Sequence, residues 1–392
     1  IGEICRRLDG SALAIELAAA RVPSLGLDGI ERGLSERFRL LSGGSRVDER
    51  HQSLRSAIDW SYGLLGAADQ ALLCRVSVFA SPFTAAAATT IAGFPPVEAR
   101  TVADGLARLS EHSLLVTSPG ADTRYRVLDS IRHYGVDKMR TARPGDAGTD
   151  TSDELEHVRR RHLAWASDTM VGLDARIDLP LAVGLDRPEE LAAWRADFDR
   201  AADDARAALK WALHHPDLQA EAFALARLLA AACFSRGLLA ESQHRYEHAA
   251  EVAADTTQAV DMLLCAGGAA ASRQVGNDSL RLWRAAADTA SAAGDRGAAA
   301  SALVRSAELI MRGPGIIAEK PPEGAQRVLV AEARALAAND PGAEAAILTA
   351  LTFEMDEVDP ETLAIAERAV ATGRALDAPL LESAALAGLQ LV

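Results

Sequence analysis

The sequence is poor in aromatic residues and in lysine. The first scarcity disfavours a sheet-rich fold, and the second excludes a common phosphate-binding loop. Aromatic residues make up 4% of the 392 residues, while alanine is abundant, which favours helices over sheets. Three of the 41 basic residues are lysine, and none follows a glycine, so the chain has no G-x-x-x-x-G-K-[ST] phosphate-binding loop. No uninterrupted apolar run reaches the roughly 18 residues that a membrane-spanning helix needs.

Cysteine is scarce as well, and the four thiols are far apart in the sequence. Because there is no C-x-x-C pair, the sequence predicts neither a redox motif nor a zinc site. Each cysteine lies in an apolar helical pattern, so we predict reduced core thiols in a cytoplasmic protein. The four residues are Cys5, Cys74, Cys233 and Cys265.

The common enzyme motifs are missing from the chain. It contains no H-E-x-x-H motif, no G-x-S-x-G motif and no convincing cysteine–histidine pair. Glu154-x-x-His157 and Glu241-x-x-His244 match the spacing of carboxylate-bridged metal sites. Such sites need further carboxylates on two other helices, so we interpret both pairs as solvated helix faces. We predict no catalytic residue, no metal and no cofactor within these residues.

Negative charge is concentrated in the second part of the chain. Residues 1–140 hold 17 basic and 16 acidic residues, whereas the remaining residues hold 24 basic and 39 acidic ones. The acidic part repels nucleic acid, and the near-neutral part has no basic stripe. The one dense basic cluster, residues 159–161, is flanked by acidic residues and is typical of helix-surface charge.

Residues 51–80 predict two amphipathic helices that are separated at Gly66. Ser53 is a residue type that caps helix N-termini, and Gly66 is typical of a helix end. In each helix the apolar residues recur at steps of three and four, which places them on one face. These residues are Leu54, Ile58, Tyr62 and Leu65 in the first helix, and Leu72, Val76 and Phe79 in the second.

Further helices and a hairpin follow this pair. The pattern predicts helices over residues 84–92 and 97–111. It then predicts strands over residues 114–117 and 124–128, which are joined by a turn that contains proline and glycine. Helices followed by a two-stranded wing are the order of a winged-helix domain, which we place at residues 54–140.

Several segments carry a resemblance to a known family. The segments HQSLRSAIDWSYGLL, LLCRVSVFA and RYRVLDSIRHYG resemble the winged-helix part of STAND-class NB-ARC ATPases. The segment LDGSALAIELAAAR, at residues 8–21, resembles the helical segment that precedes the winged helix in that family. More narrowly, the chain resembles large bacterial transcriptional regulators of the LuxR and SARP types, in which an NB-ARC module precedes helical repeats.

The resemblance implies three nucleotide-contact positions, which carry altered residues here. The family's Gly-Leu-Pro-Leu motif reads Gly-Ser-Ala-Leu at residues 10–13, so Ala12 replaces a proline that packs on the nucleotide. The Met-His-Asp motif, whose histidine contacts the β-phosphate of ADP, reads Val127-Leu128-Asp129. Since leucine cannot hydrogen-bond a phosphate, that contact is absent or comes from another residue. Asp129 is either a nucleotide-state sensor or the N-cap of a helix predicted over residues 130–139.

Residues 154–392 predict stacked helix pairs. Gly237, Ser242, Tyr246 and Ala249 lie at offsets of 0, 5, 9 and 12, which is the spacing of a tetratricopeptide repeat (TPR). The predicted starts of alternate helices are about 40 residues apart, within the range of helical repeats. A solenoid of this kind offers a surface for a protein or small-molecule signal.

Together these patterns predict a mainly α chain: a helical subdomain and a winged helix with a small β-hairpin, followed by a TPR-like α-solenoid. The predicted domains are a partial NB-ARC helical subdomain (1–41), a linker (42–53), the winged helix (54–140), a linker (141–153) and incomplete TPR-like repeats (154–392).

We interpret the chain as the regulatory and sensor part of a longer, ATP-dependent STAND-type transcriptional regulator. The resemblance implies that ADP or ATP with Mg²⁺ binds an upstream nucleotide-binding domain in cis, which the winged helix gates. It also implies that DNA is bound through a domain outside these residues, that some relatives carry a cyclase-like domain, and that no membrane is involved. The alternative is that the winged helix binds DNA itself. Its predicted recognition helix, residues 97–111, carries three acidic and two basic side chains, which disfavours this alternative.

Overall fold

The structure is a computed structural model. It describes residues 1–7, 22, 26–27, 29, 58, 62–63, 65–112, 114–120, 122–141, 151–177, 187–337, 341–352, 360–375 and 386. The chain divides into two compact units, residues 1–168 and residues 169–392. The described residues are mainly α-helical and include one small antiparallel sheet, which confirms the predicted fold class.

The first unit contains a module of helices and a sheet at residues 67–141, which we name the hairpin module. Its first helix begins directly after Gly66, which lies at the N-cap position of that helix. The elements before and within the module are α1 (Gly2–Arg7), α2 (Ala67–Val76), β1 (Phe83–Thr84), α3 (Ala85–Ala92), α4 (Val102–Glu111), β2 (Leu115–Ser118), β3 (Arg124–Val127) and α5 (Asp129–Thr141).

The sheet of the hairpin module has three strands, whereas the sequence pattern predicted two. The strand order is β1-β3-β2, and both pairings are antiparallel. In β1, Phe83 pairs with Tyr125 of β3, and on the other side Leu115 of β2 pairs with Val127. The sequence pattern did not predict β1 because two residues are too short to show the alternation that identifies a strand.

Helix boundaries in the module differ from the predicted ones by a few residues. Helix α2 ends at Val76, so Phe79 lies beyond it, where its ring stacks on Phe83 at a centroid distance of 4.2 Å. The region predicted as one helix over residues 97–111 is a short 3₁₀ turn, Ala99–Thr101, followed by α4.

The core of the module forms where the apolar faces of its helices meet. Leu72 and Val76 of α2, Ile91 of α3 and Leu106 and Leu109 of α4 are at most 1% exposed. Full burial of each large aliphatic side chain contributes about 1.5–3 kcal/mol to folding. These contacts hold the helices of the module together.

Helix α5 lies very close to α2, and Gly135 makes this possible. A Cβ atom at Gly135 would be 2.2 Å from Ser77 Oγ and 3.3 Å from Cys74 Cα. Only glycine allows the two helices to approach this closely.

The next helix, α6 (Thr151–Asp174), begins three residues before the predicted start and contains the boundary between the two units. Residues 151–153 of the predicted linker are therefore helical, and Thr141 at its other end is the last residue of α5. The predicted linker over residues 42–53 and nearly all of the predicted helical subdomain (1–41) lie outside the described residues.

The second unit consists of helices that stack in sequence order. They are α7 (Pro188–Ala212), α8 (Gln219–Arg236), α9 (Leu239–Glu251), α10 (Thr256–Ser272), α11 (Gly276–Ala292), α12 (Arg296–Arg312), α13 (Ala325–Leu336), α14 (Pro341–Thr352) and α15 (Pro360–Ala375). Both α10 and α11 begin 37 residues after their counterparts α8 and α9, which is a structural repeat.

The structure confirms the predicted TPR spacing in the pair α8–α9. Gly237 forms the turn in the left-handed conformation, with φ of +86°, and Ser242, Tyr246 and Ala249 are buried. Ser242 Oγ donates a 2.9 Å hydrogen bond to the carbonyl oxygen of Ala230, so the small hydroxyl links the two helices of the pair.

The same four offsets recur in the pair α10–α11. Gln274 adopts the left-handed turn conformation, with φ of +62°, and Ser279, Trp283 and Ala286 are buried. The repeat therefore keeps its geometry although glutamine occupies the position of the glycine.

One stretch of the second unit, Pro216–Arg236, is long and apolar enough to cross a membrane by length and composition alone. Half of its most apolar window is buried, and α8 packs between α7 and α9. These contacts are those of a core helix within the stack.

Candidate functional site

The resemblance implies three nucleotide-contact positions. Two of them, Leu128 and Asp129, lie at the junction of β3 and α5, and the third, Ala12, lies outside the described residues. Leu128 is half-buried and packs against the core of the hairpin module. Its carbonyl oxygen accepts a 2.8 Å hydrogen bond from the backbone N–H of Arg132. Leu128 therefore contributes apolar packing and a backbone acceptor at this position.

Asp129 lies in the first turn of α5. The helix begins at Asp129 itself, one residue earlier than predicted, so its carboxylate is favourably placed near the positive end of the helix dipole. Asp129 Oδ1 accepts a 2.6 Å hydrogen bond from Arg132 Nη2. The Asp129 carbonyl oxygen also lies 2.7 Å from Nδ1 of His133. The aspartate is therefore engaged with its own helix.

Arg132 is a cation at this junction, and no sequence motif singled it out. Its side chain is 28% exposed. Its Nε atom is buried and has no hydrogen-bond partner within the described part of the chain. A ligand cannot reach this buried atom, but a guanidinium carries five N–H donors, so the exposed part of the side chain retains the capacity to bind an anionic oxygen.

The surface of α4, the predicted recognition helix, is electrically neutralised. Arg108 donates two hydrogen bonds to the carboxylate of Asp69 in α2, one from Nε at 2.8 Å and one from Nη2 at 2.7 Å. Arg100, just before α4, donates from Nε to Glu98 at 2.7 Å. Both arginines are therefore already paired with carboxylates, and this surface has little positive charge left for phosphates.

The two Glu-x-x-His pairs, which we interpreted as solvated helix faces, contact other parts of the chain instead. Glu154 accepts a hydrogen bond from Arg75, and the ring of His157 packs edge-on against Phe94. In the other pair, Glu241 is bound by two arginines. Among the described residues there is no group of three or more histidine, cysteine, aspartate or glutamate side chains that could hold a metal.

Glu241 is instead the centre of an ion-pair cluster between α7 and α9. Arg206 of α7 donates two 2.7 Å hydrogen bonds to it, and Arg245 donates a third at 3.2 Å. The hydrogen bonds from Arg206 lower the pKa of the Glu241 carboxyl below its usual value. These charges are satisfied by one another and stabilise the stack.

The thiols are not all buried, which corrects one prediction. Cys74 and Cys233 are core residues, and burial raises the pKa of the two thiols to about 11 and about 12, respectively. Cys265 of α10 is exposed, and Cys5 is only partly buried.

A shallow, largely open cavity of about 280 Å³ lies between α11 and α12 in the second unit. Burial raises the pKa of the Glu308 carboxyl. Neither Glu308 nor Arg305 makes a hydrogen bond or an ion pair within the residues that the structure describes. The lining residues are Trp283, Arg305, Glu308, Leu309, Arg312 and Gly313. No sequence motif predicted this cavity, although the three charged residues at steps of three and four mark one face of α12.

No protein-family model matches the chain. It is 37% identical, over 243 residues, to a Mycobacterium tuberculosis protein named "Putative HTH-type transcriptional regulator", and to the same extent to its Mycobacterium bovis counterpart. The match covers 62% of this chain and 25% of each relative. An uncharacterised M. tuberculosis protein is 38% identical over 150 residues, which is 38% of each chain. The chain thus spans about a quarter of the length of the HTH-type relatives that it matches.

A solved structure with some similarity is the STAND protein with a tetratricopeptide repeat sensor from Pyrococcus horikoshii. The alignment covers 96% of this chain and 55% of that one, with 13% sequence identity and a TM-score of 0.31. A similarity at this level is too low to establish a shared fold.

Proposed function

We propose that this chain is the regulatory and sensor part of a nucleotide-dependent transcriptional regulator of the STAND class, with the NB-ARC organisation. In this proposal the hairpin module is a winged helix that gates a nucleotide-binding domain elsewhere in the same protein. The helical repeats bind a signal or a protein partner, and the protein acts in the cytoplasm. DNA is bound through a domain outside these residues, in an arrangement of the LuxR or SARP type.

The topology of the hairpin module is the observation that carries the proposal. Helix, short strand, two helices and hairpin, with strand order β1-β3-β2, are the arrangement expected of a winged helix, and helical repeats follow it along the chain. The identity to relatives named as HTH-type transcriptional regulators supports a role in regulation.

Nucleotide contact at the β3–α5 junction would come from Arg132 in this proposal. Leu128 offers no polar side-chain atom, whereas Arg132 has a partly exposed guanidinium and is hydrogen-bonded to Asp129. The guanidinium would donate to a phosphate oxygen of ADP, while Asp129 holds it in place. A charge-assisted contact of this kind is among the stronger hydrogen bonds in proteins.

The test compares this chain with a longer version of the protein that includes the preceding domain. We expect the longer protein to bind ADP in calorimetry, and the chain alone to show no ATP hydrolysis. Arg132→Gln in the longer protein should weaken ADP binding about ten- to hundredfold, because a charged hydrogen-bond donor is lost. The matched control is Arg126→Gln on β3, which should leave ADP affinity unchanged. Hydrolysis of ATP by the chain alone would overturn the proposal.

A second candidate function is DNA binding by the hairpin module itself, which the HTH-type name of the relatives favours. The pairing of Arg108 with Asp69 and of Arg100 with Glu98 argues against it. An electrophoretic mobility-shift assay at low salt decides between the two. Binding that weakens steeply with salt and is lost in Arg100→Gln would establish this candidate.

A further inference from the structure

The cavity between α11 and α12 has a charge arrangement that differs from two other sites in the repeats. At those two sites, charged side chains on successive second helices pair with one another. Arg206 pairs with Glu241, and Arg284 of α11 donates to Glu332 of α13 at 3.0 Å. In the cavity, by contrast, Arg305 and Glu308 lie one helical turn apart on α12 without forming an ion pair.

The carboxylate of Glu308 is the acidic group of the cavity. Glu308 is partly buried, and its desolvation raises the pKa of the carboxyl although the charges of Arg312 and Arg305 act in the opposite direction. A partly buried acid that lines an open cavity is suited to a ligand that brings a hydrogen-bond-donating cation. An ammonium group has this chemistry.

Guanidinium groups supply the opposite charge at the same cavity. Arg305 is exposed, lines the cavity and has no ion-pair partner among the described residues. Arg312, one turn further along α12, lines the cavity as well, and both arginines act electrostatically on Glu308. Arginine is well suited to binding carboxylates through paired N–H groups.

The walls of the cavity restrict the size and the polarity of the ligand. Leu309 and the buried indole of Trp283 supply apolar surface beside the charged groups. The volume of about 280 Å³ lies just below the usual range of small-molecule pockets, about 300–1,000 Å³. The ligand is therefore a small molecule with both charges and a short apolar portion.

We propose that this cavity binds a free α-amino acid, with its ammonium group on Glu308, its carboxylate on Arg305 and its side chain against Leu309 and Trp283. This inference rests on the proposed sensor role of the repeats and names the ligand class for it. The loop after α12 shapes one end of the site, because Gly313 lines the cavity. Asn277 of α11 holds that loop through hydrogen bonds to the backbone N–H groups of Ala318 and Glu319, at 2.8 and 3.1 Å.

The experiment uses the full chain and the twenty free L-amino acids, screened by thermal shift and measured by calorimetry. We expect at least one amino acid to raise the melting temperature, since a ligand that binds the folded state stabilises it. Glu308→Gln and Arg305→Gln should each weaken its binding about ten- to hundredfold. The matched control is Arg334→Gln, at an exposed arginine of α13, and it should leave the affinity unchanged.

Two derivatives of the bound amino acid test the assignment of each charge. N-acetylation removes the ammonium group, and it should weaken binding to the native chain but not to Glu308→Gln. Methyl esterification removes the carboxylate, and it should weaken binding to the native chain but not to Arg305→Gln. If both derivatives bind as well as the parent amino acid, the assigned site is wrong.

Failure of this inference is distinguishable from failure of the proposed function. If none of the twenty amino acids binds, the ligand class is overturned, while the ADP measurement on the longer protein still judges the regulatory role. If an amino acid binds equally well to Glu308→Gln and to the native chain, the cavity is not its site. Binding of acetate with the affinity of the amino acid would overturn the role of Glu308.

Discussion

Arg75 of α2 donates a 2.8 Å hydrogen bond from Nε to Oε1 of Glu154 in α6, which lies 79 residues further along the chain. The guanidinium is 2% exposed and also donates to the carbonyl oxygens of Ala92 at 3.0 Å and Pro95 at 2.9 Å. It lies 3.5 Å from the centroid of the Phe94 ring. One arginine thereby connects α2, the segment after α3 and α6 within the first unit.

Replacement of Arg75 by alanine should destabilise the first unit strongly. The change leaves Glu154 and at least two carbonyl oxygens without their donor, and removing one partner of a buried ion pair costs about 3–5 kcal/mol. Urea denaturation followed by circular dichroism measures the loss. The matched control is Arg100→Ala, at an arginine whose side chain is 83% exposed, which should change the free energy of unfolding by less than about 0.5 kcal/mol. Equal effects of the two variants would contradict this account of Arg75.

Two adjacent glycines of α10 should respond oppositely to alanine. A Cβ atom at Gly267 would lie 2.3 Å from Nε1 of Trp283, which donates a 3.1 Å hydrogen bond to the carbonyl oxygen of Leu264. Gly267→Ala should displace the indole, break that bond and cost about 1–3 kcal/mol. At Gly268 a Cβ atom meets nothing within 4 Å, so Gly268→Ala should be neutral or stabilise the helix by up to about 1 kcal/mol.

Tryptophan fluorescence and thermal unfolding check this pair of variants. We expect a shifted emission maximum and a lower melting temperature for Gly267→Ala alone. A native spectrum in Gly267→Ala would show that the indole does not need this space.

The two equivalent turns of the repeats provide a reciprocal test of backbone strain. Gln274 has φ of +62°, a conformation that costs a non-glycine residue about 1–2 kcal/mol, whereas Gly237 adopts φ of +86° without this cost. Gln274→Gly should stabilise the second unit by roughly 0.5–1 kcal/mol after the entropy of glycine in the unfolded chain is subtracted. Gly237→Gln should destabilise it by about 1 kcal/mol, because the side chain meets no steric obstacle and only the conformation is strained.

Chemical denaturation of both variants gives the two changes in free energy. They should have opposite signs. Destabilisation by Gln274→Gly would mean that the glutamine side chain contributes more than the strain removes.

The ion-pair cluster around Glu241 should make stability depend on acidic pH. Hydrogen bonds from Arg206 hold the pKa of the Glu241 carboxyl below its usual value of 4.5. A carboxyl with a lowered folded-state pKa contributes stability that is fully present above the unfolded-state pKa and is lost as pH falls through the folded-state pKa. Unfolding free energies measured between pH 7 and pH 3 should therefore fall more steeply for the native chain than for Glu241→Gln. Parallel pH profiles would show that this carboxylate does not contribute.

Much of the fold follows from local sequence periodicity. The apolar steps of three and four predicted most helices within a few residues, and the offsets of Gly237, Ser242, Tyr246 and Ala249 were sufficient to identify the repeat. Such patterns are readable because a helix has one period and its buried face must be apolar. The absence of a phosphate-binding loop is likewise a property of the sequence alone.

The sequence by itself therefore determined the helical class, the repeat spacing and the missing phosphate loop. Tertiary packing decided the rest: the pairing of β1 with β3, the burial of Arg75, the exposure of Cys265 and the cavity beside Trp283. The physical reason is that periodicity shows which face of a helix is apolar, whereas only the neighbouring elements determine which side chains they cover. Arg305 and Glu308 have the same local pattern as any surface pair, and it is the packing of α11 beside α12 that makes them line a cavity.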